Sequence, residues 1–571
     1  MNSTRLKSIL IALILTSSCI EVTVAQHASR SGFHPPLNIP LNLSGNFGEF
    51  RSNHFHTGID IKTEGREGLN VFAVTGGWVS RIRVGAYGFG NALYIEHPNG
   101  YTSVYGHLLE FAPSIEAYLK NEQYARQLWE VDLYPEAGVL PVDSASVVGR
   151  SGNSGSSGGP HLHFEIRETA TEFPVNPLLW DFPVADTRAP LVKGILLSPL
   201  TDSSAVLGTQ KDQLFETKSS TGTIALERTT PIEVTGAFGI GVHTLDLLDG
   251  NSNTCGVFSI EVFLDGERHY LQEMDRLDFA INRQMNAHAD FRRFKTERKS
   301  FHRTFVLPDN RLPIYKTIKG NGHIVLPDDA VHEIRVVVRD VHANATTLNF
   351  KVKQVKAPFT AADQVLPAGA KHCKYDEVHA LRTDSCNVFI PLGRLYGDTW
   401  IWVERLSGRQ AEASPHFQIG NRFEPVHDTF LVKIRPKPVP EELQSKLLVV
   451  YYDVDKQRYA PRGGSFHKGW MEVDVKEFGQ YAVALDTLAP VIKLRRFDRS
   501  RVEFNISDNL SGISEIRATV DGKWVRMHYD PKRTLIWHDA KQDGVIQATS
   551  QLFEITVTDE RGNVASFSKR F

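Results

Sequence analysis

The chain has 571 residues, of which 41% are hydrophobic and 23% charged, and its formal net charge is -2. At roughly 100–200 residues per folded unit, that length implies about three to five cores. The near-neutral balance excludes a polycation that grips nucleic acid, and ordinary hydrophobicity without a low-complexity tract excludes a disordered polymer.

In chain order, the first element reads as an export signal. Arg5 and Lys7 precede the apolar run 9–15, which is too short to span a bilayer and has the length of a signal-peptide core. Thr23-Val24-Ala25 offers the small residues a signal peptidase reads, so cleavage is expected after Ala25, with 1–25 removed. The expected location is periplasmic or secreted. The alternative is a lipoprotein anchored through Cys19, against which Thr16 stands where a lipoprotein box carries Leu. No later segment is apolar enough to cross a membrane as a helix. Of the remaining cysteines, Cys373 and Cys386 are close enough in sequence to pair in an oxidising compartment and Cys255 is left over. No Cys-x-x-Cys occurs, which argues against a thiolate zinc site.

Residues 26–185 mix Gly-rich turns with short strand-like runs. In His56-Thr57-Gly58-Ile59-Asp60, strand alternation puts His56 and Asp60 on one face, with Gly58 leaving room for an ion between them. Asn91 to His97, the turn Pro98-Asn99-Gly100 and Tyr101 to His107 read as a hairpin that carries Tyr105 and His107 on a shared face. His97, beside the turn, reads as structural. In His161-Leu162-His163-Phe164-Glu165, the same alternation puts both imidazoles on one face and Leu162 and Phe164 on the core face. The Gly-rich run 149–160 lacks the Gly-Lys-Ser/Thr ending of a phosphate loop and reads as a tight turn that feeds His161 into the site. Imidazole and carboxylate are the ligand types of a catalytic zinc ion, which takes three from protein and keeps a fourth position open.

Taken together, His56-x-x-x-Asp60, Tyr105-Gly106-His107-Leu108 and Gly155-x-x-Gly158-Gly159-Pro160-His161-Leu162-His163-Phe164-Glu165 resemble the lysostaphin-type (LytM-like) zinc endopeptidases over 46–168. The resemblance implies Zn²⁺ as cofactor, with His56, Asp60 and His163 as metal ligands and His107 and His161 as catalytic histidines. It also implies a peptidoglycan stem peptide or cross-bridge as substrate, and no nucleic acid. A non-catalytic LytM-like regulator of cell-wall amidases is the alternative, against which none of the five residues is substituted. The chain departs from the family between His107 and Val147, where the insertion 111–138 reads as a helix with Ser114 as its cap and is expected to wall the groove.

An internal repeat follows. Asp186-Thr187-Arg188-Ala189-Pro190 recurs as Asp486-Thr487-Leu488-Ala489-Pro490, Asp265-Gly266 as Asp521-Gly522, and Asp340 with Asn344 as Asp559 with Asn563. Alternating β-branched runs between Asp/Gly/Asn turns read as β-sandwiches, and Asp508-Asn509-Leu510-Ser511-Gly512 resembles bacterial Ig-like domains. The first copy carries a polar insertion at 269–325, whose stretch 278–299 reads as a solvated, basic helical face. The expected fold is mainly β: an antiparallel lysostaphin-type peptidase domain at 26–185, an Ig-like sandwich with insertion at 186–355, a β-rich domain at 356–485 and an Ig-like sandwich at 486–571. Nothing in 186–571 assembles a second catalytic set, so these β-domains are expected to hold the enzyme on a wall or envelope protein partner, or to shield its groove.

Overall fold

The structure is a computed structural model that describes residues 30–220, 223–360, 365–410, 413–543 and 550–571; the signal-peptide and Cys19 readings fall outside them. The protein is mainly β, a peptidase-type β-domain followed by further β-sheet domains. No helix among the described residues is long and apolar enough to cross a membrane.

The first unit is built on a nine-stranded sheet whose main path runs Leu43–Gly45, Ile59–Lys62, His161–Glu168, Tyr101–Gly106, Ala92–Glu96, Gly77–Val84, Val131–Leu133. The strand His161–Glu168 is central, antiparallel to Ile59–Lys62 on one side and Tyr101–Gly106 on the other. Its alternation sorts the two faces: Leu162, Phe164 and Ile166 enter the core with Ile59, Ile61, Leu93 and Ile95. His161, His163, Glu165 and Arg167 take the other face. A three-stranded sheet of Asn70–Phe72, Val147–Arg150 and Glu110–Phe111 lies alongside.

The hairpin forms as expected, but Tyr105 and His107 do not share a face. Tyr105 pairs in register with Phe164 and is buried in the core, its hydroxyl accepting from Val74 N at 3.0 Å. The strand ends at Gly106, and His107, with φ of 60°, swings onto the polar face. His97 is structural, buried between Gly76 O at 2.9 Å and Ser103 Oγ at 2.8 Å.

The insertion folds as the helix Pro113–Arg126, and its cap position is Ala112, not Ser114. Proline's fixed φ opens the helix before the serine, which falls inside the first turn and caps nothing.

In the second unit, a five-stranded and a seven-stranded sheet enclose a core that includes Ile195, Val242, Val262 and Val336. The stretch 278–299 is not a solvated face. It breaks into short helical pieces, Asn282–Gln284, Met285–His288 and Phe291–Glu297, and Met285 and Ala289 bury against Phe47 and Phe55 of the first unit. Asn282 bonds both the amide and the carbonyl of Phe55, at 2.9 and 3.0 Å. The arginines and lysines that dominate the composition of this stretch mask an interface made by the residues between them.

Two five-stranded sheets enclose the third core, in which Cys373 and Cys386 are buried and free, as is Cys255 in the first core. Two four-stranded sheets form the last unit. Its Asp521-Gly522 turn and the matching Asp265-Gly266 both have positive φ, 48° and 77° against 48° and 85°, which is what a two-residue hairpin loop requires.

Candidate metal centre

His56, Asp60 and His163 come together on the polar face of the main sheet, all buried, with one donor atom of each within 4.8 Å of the others. Asp60 and His163 are register partners on adjacent strands. His56 lies in the link that leads into the strand Ile59–Lys62, and Gly58 lets this link approach closely, since a Cβ there would meet Phe164 O at 2.3 Å. Asp60 Oδ1 lies 2.9 Å from His163 Nδ1, 3.1 Å from His56 Nε2 and 3.5 Å from His161 Nε2.

The outward nitrogens decide the tautomers. His56 Nδ1 donates to Asn46 O at 2.8 Å, and His163 Nε2 donates to Glu165 Oε1 at 3.0 Å. With those protons placed, His56 Nε2 and His163 Nδ1 face each other at 3.1 Å as lone pairs. Such a pair beside a carboxylate is relieved by a cation or, in its absence, by a proton on His163.

Glu165 is fully buried, yet Arg167, at 2.7 Å from Nε, and His163 hold its carboxyl down at about 2 against the upward pull of burial. Thr57 Oγ1 donates to it as well. Burial alone would push Asp60 up, but the three histidines and their bonds hold it well below the usual carboxylate range. Burial also opposes the charge of His163, but hydrogen bonds to Asp60 and Glu165 outweigh it and raise the ring to about 9 without a metal. The site takes up positive charge at its centre.

His107 and His161 flank this centre, their rings 4.8 Å apart. Each is tethered through Nδ1, His107 to Ser154 O at 2.9 Å and His161 to Gly159 O at 2.8 Å, which turns each Nε2 toward the centre, that of His161 lying 3.5 Å from Asp60 Oδ1. Burial and the charges of His163 and His161 depress His107 to about 3. Phe89 stacks on His163 at 4.8 Å. Both tethers come from the Gly-rich loop, which is locked where Gly155, at φ 68°, meets Gly90 backbone to backbone. All five histidine and aspartate residues expected from the sequence are brought together.

Against known proteins, residues 54–124 match the family model of peptidase family M23. The DD-carboxypeptidase/endopeptidase Mpg of Neisseria meningitidis serogroup B is 32% identical over 156 residues, covering 26% of this chain and 29% of its own. The chain carries an M23 peptidase domain. The Mpg of Neisseria gonorrhoeae is 31% identical over 156 residues with the same coverage, so the chain spans less than a third of the length of these curated relatives. A solved catalytic domain of the prophage-encoded M23 protein EnpA from Enterococcus faecalis is 24% identical, covering 25% of this chain and 95% of that one, with a TM-score of 0.19. The lysostaphin catalytic domain from Staphylococcus simulans is 20% identical, covering 24% and 90%, with a TM-score of 0.18. Residues 370–486, within the third unit, match the family model of the Zu5-like domain.

Around the M23 centre stand residues to which the sequence motifs assigned no role. Glu165 and Arg167 continue the alternation of His161 and His163, and that period was the signal that could have found them. Arg51, which reaches Asp60 Oδ2 at 2.8 Å, and Asn46 carry no motif. The insertion helix does not simply wall the groove of the M23 domain. Its buried Gln123 accepts from Arg526 of the last unit at 2.8 Å, and Tyr124 packs edge-on against Trp524. Lys532 of the same unit donates to Asn153 O and, at 3.2 Å, to Ser157 O on the Gly-rich loop. A cavity of about 590 Å³ opens beside Phe89, lined by Arg81, Arg83, Arg167 and Phe279.

Proposed function

We propose that this protein is an exported zinc metalloendopeptidase that hydrolyses peptide bonds in peptidoglycan stem peptides or cross-bridges. The observation that carries the reading is the convergence of two imidazole lone pairs and one carboxylate, each fixed from behind by a hydrogen bond or ion pair. Two nitrogens and a carboxylate oxygen form a ligand set that zinc takes in catalytic sites, and Glu165 behind His163 is the carboxylate–histidine support such sites use. His56, Asp60 and His163 would hold the ion, which when bound supplies a Lewis acid and water activated at neutral pH.

The remaining chemistry belongs to the chain. His107 Nε2, kept unprotonated by burial, accepts the proton of the attacking water and returns it to the leaving amine. His161, its Nδ1 proton committed to Gly159 O, is held in the tautomer that directs Nε2 at the same space. Phe89 and the buried rings exclude bulk solvent, which strengthens each of these polar contacts. The relatives named Mpg are a carboxypeptidase and endopeptidase by their own description, which supports a cell-wall peptide as substrate for this chain. Digestion of purified sacculi with the zinc-loaded protein, read by muropeptide mass spectrometry, should show peptide crosslinks opened and glycan strands intact. Unchanged muropeptides with full zinc occupancy would reject the enzyme in favour of a non-catalytic regulator.

A further inference from the structure

The two repeats carry an acidic feature that peptidase chemistry does not use. In the last unit, Asp486, Asp508 and Asp559 each bring a carboxylate oxygen within 4.8 Å of the other two. Asp486 is wholly buried and Asp559 is 1% exposed. Backbone amides fix their orientations: Ser511 N bonds Asp486 Oδ2 at 2.9 Å, Gly512 N bonds Asp508 Oδ2 at 2.8 Å, and Asn563 N bonds Asp559 Oδ1 at 2.9 Å. These bonds leave Asp486 Oδ1 and Asp508 Oδ1 buried with no partner, and the buried Ser511 Oγ beside them has none either. Among the described residues, no lysine or arginine side chain pairs with any of the three carboxylates; Arg561 gives its backbone amide to Asp559 Oδ1 at 2.8 Å and its Nη1 to Leu447 O and Gly464 O.

The first repeat builds the same arrangement independently. Asp186, Asp340 and His342 are within 4.8 Å of one another, and Asp246 stands where the second copy has Asp508. Asp246 Oδ1 is again buried without a partner, whereas Asp186 Oδ2 lies 3.5 Å from His342 Nδ1. Asn344 bridges Asp340 Oδ2 and Asp186 O at 2.8 and 3.2 Å, as Asn563 bridges Asp559 Oδ2 and Asp486 O at 2.7 and 3.0 Å. An orphaned carboxylate oxygen therefore occurs at the corresponding positions Asp508 and Asp246 of two copies whose surroundings have diverged. Buried, unpaired carboxylates packed together repel one another, and each lacks the partner that burial demands.

We propose that each repeat binds one calcium ion, through Asp486, Asp508, Asp559 and Ser511 Oγ in the last unit and through Asp186, Asp246 and Asp340 in the second. An all-oxygen, carboxylate-rich set suits a hard cation, and calcium over magnesium because burial strips the waters that magnesium retains. The ion ties the segment that joins each repeat to the preceding unit, at Asp186 or Asp486, to two loops of the repeat itself. In the second unit the Asp246 loop continues through Cys255, paired with Asp246 at 2.9 Å, to Gly256, which contacts Asn46 of the M23 domain. Calcium there braces the support of His56.

The test uses the full chain, freed of divalent ions over a chelating resin and then reloaded with one equivalent of zinc. Equilibrium dialysis with radiolabelled calcium should find one ion per repeat, resistant to an equal concentration of magnesium, and the melting temperature should rise with calcium. Asp508→Asn and Asp246→Asn should each halve the bound calcium, and the double variant should bind none. Native protein that takes up no calcium at millimolar concentration overturns the proposal, and that measurement does not depend on the variants folding. Full binding by the double variant overturns it too. So does a native chain indifferent to calcium that Asp508→Asn stabilises, which would mean the carboxylates share protons instead.

Discussion

Gly256 clasps both ends of the Asn46 carboxamide, its carbonyl accepting from Nδ2 at 2.8 Å and its amide donating to Oδ1 at 2.7 Å. The carbonyl of Asn46 in turn accepts from His56 Nδ1. A residue of the second unit thus orients a histidine of the metal centre. Asn46→Ala should lose about 1–3 kcal/mol of stability through the stranded Gly256 groups. It should also weaken zinc by up to about 10-fold. Thermal melting and chelator competition check the two, and unchanged zinc affinity would mean that the backbone alone orients His56.

Glu165→Gln removes the charge that holds both His163 and Arg167. Zinc affinity should fall about 10–100-fold. Stability should fall by about 3–5 kcal/mol as the buried Arg167 loses its partner. Competition against a fluorescent chelator reads the first effect and denaturant unfolding the second. A stable variant with native zinc affinity would confine Glu165 to packing.

The roles within the histidine cluster separate by a paired measurement. His107→Ala and His161→Ala should each abolish turnover while keeping zinc, whereas His163→Ala should lose both. Elemental analysis alongside muropeptide release checks this. Zinc lost from His161→Ala and retained by His163→Ala would exchange their assignments.

A chain cut after residue 186 should hydrolyse soluble muropeptides but melt well below a chain that continues to 355. The shorter one exposes Phe47 and Phe55, each worth about 1.5–3 kcal/mol when buried, and lacks Leu248 and Cys255 from the first core. Equal melting temperatures would show that the shared cores add nothing.

Acid should weaken the second unit. His288 and His302 are fully buried with ring nitrogens 3.0 Å apart, and burial, before neighbouring charge, holds His288 well below its ordinary value and His302 at about 3. The folded state keeps them neutral, so the stability they contribute is complete above the unfolded value near 6.5 and is lost as pH falls. At pH 4, His302 alone should remove about 3 kcal/mol. Denaturant unfolding at pH 7, 5 and 4 should show a flatter decline for His302→Asn than for the native chain; equal slopes would refute the assignment.

The M23 centre was legible because strand period and ligand chemistry coincide in short motifs: His161 and His163 fall on the face opposite Leu162 and Phe164 by alternation alone. Tyr105 and His107 part because strand alternation stops at Gly106, one residue short of His107, where a left-handed φ reverses the side. The helix cap went to Ser114 by side-chain preference while Pro113 had already set the first turn. What the sequence hid most completely was contact between units. Asn46 with Gly256, Gln123 with Arg526 and Asn153 with Lys532 are separated by 210, 403 and 379 residues, and no local pattern encodes such pairs.

Lys532 also sets an order of events. Synthesis proceeds from the N-terminus, so His56, His107, His161 and His163 leave the ribosome long before the lysine that pins the carbonyls of Asn153 and Ser157. The loop that tethers His107 and His161 gains that support only after the unit that holds Lys532 has been made. A chain terminated before Lys532 carries every expected ligand and both flanking histidines, yet lacks that brace on the loop.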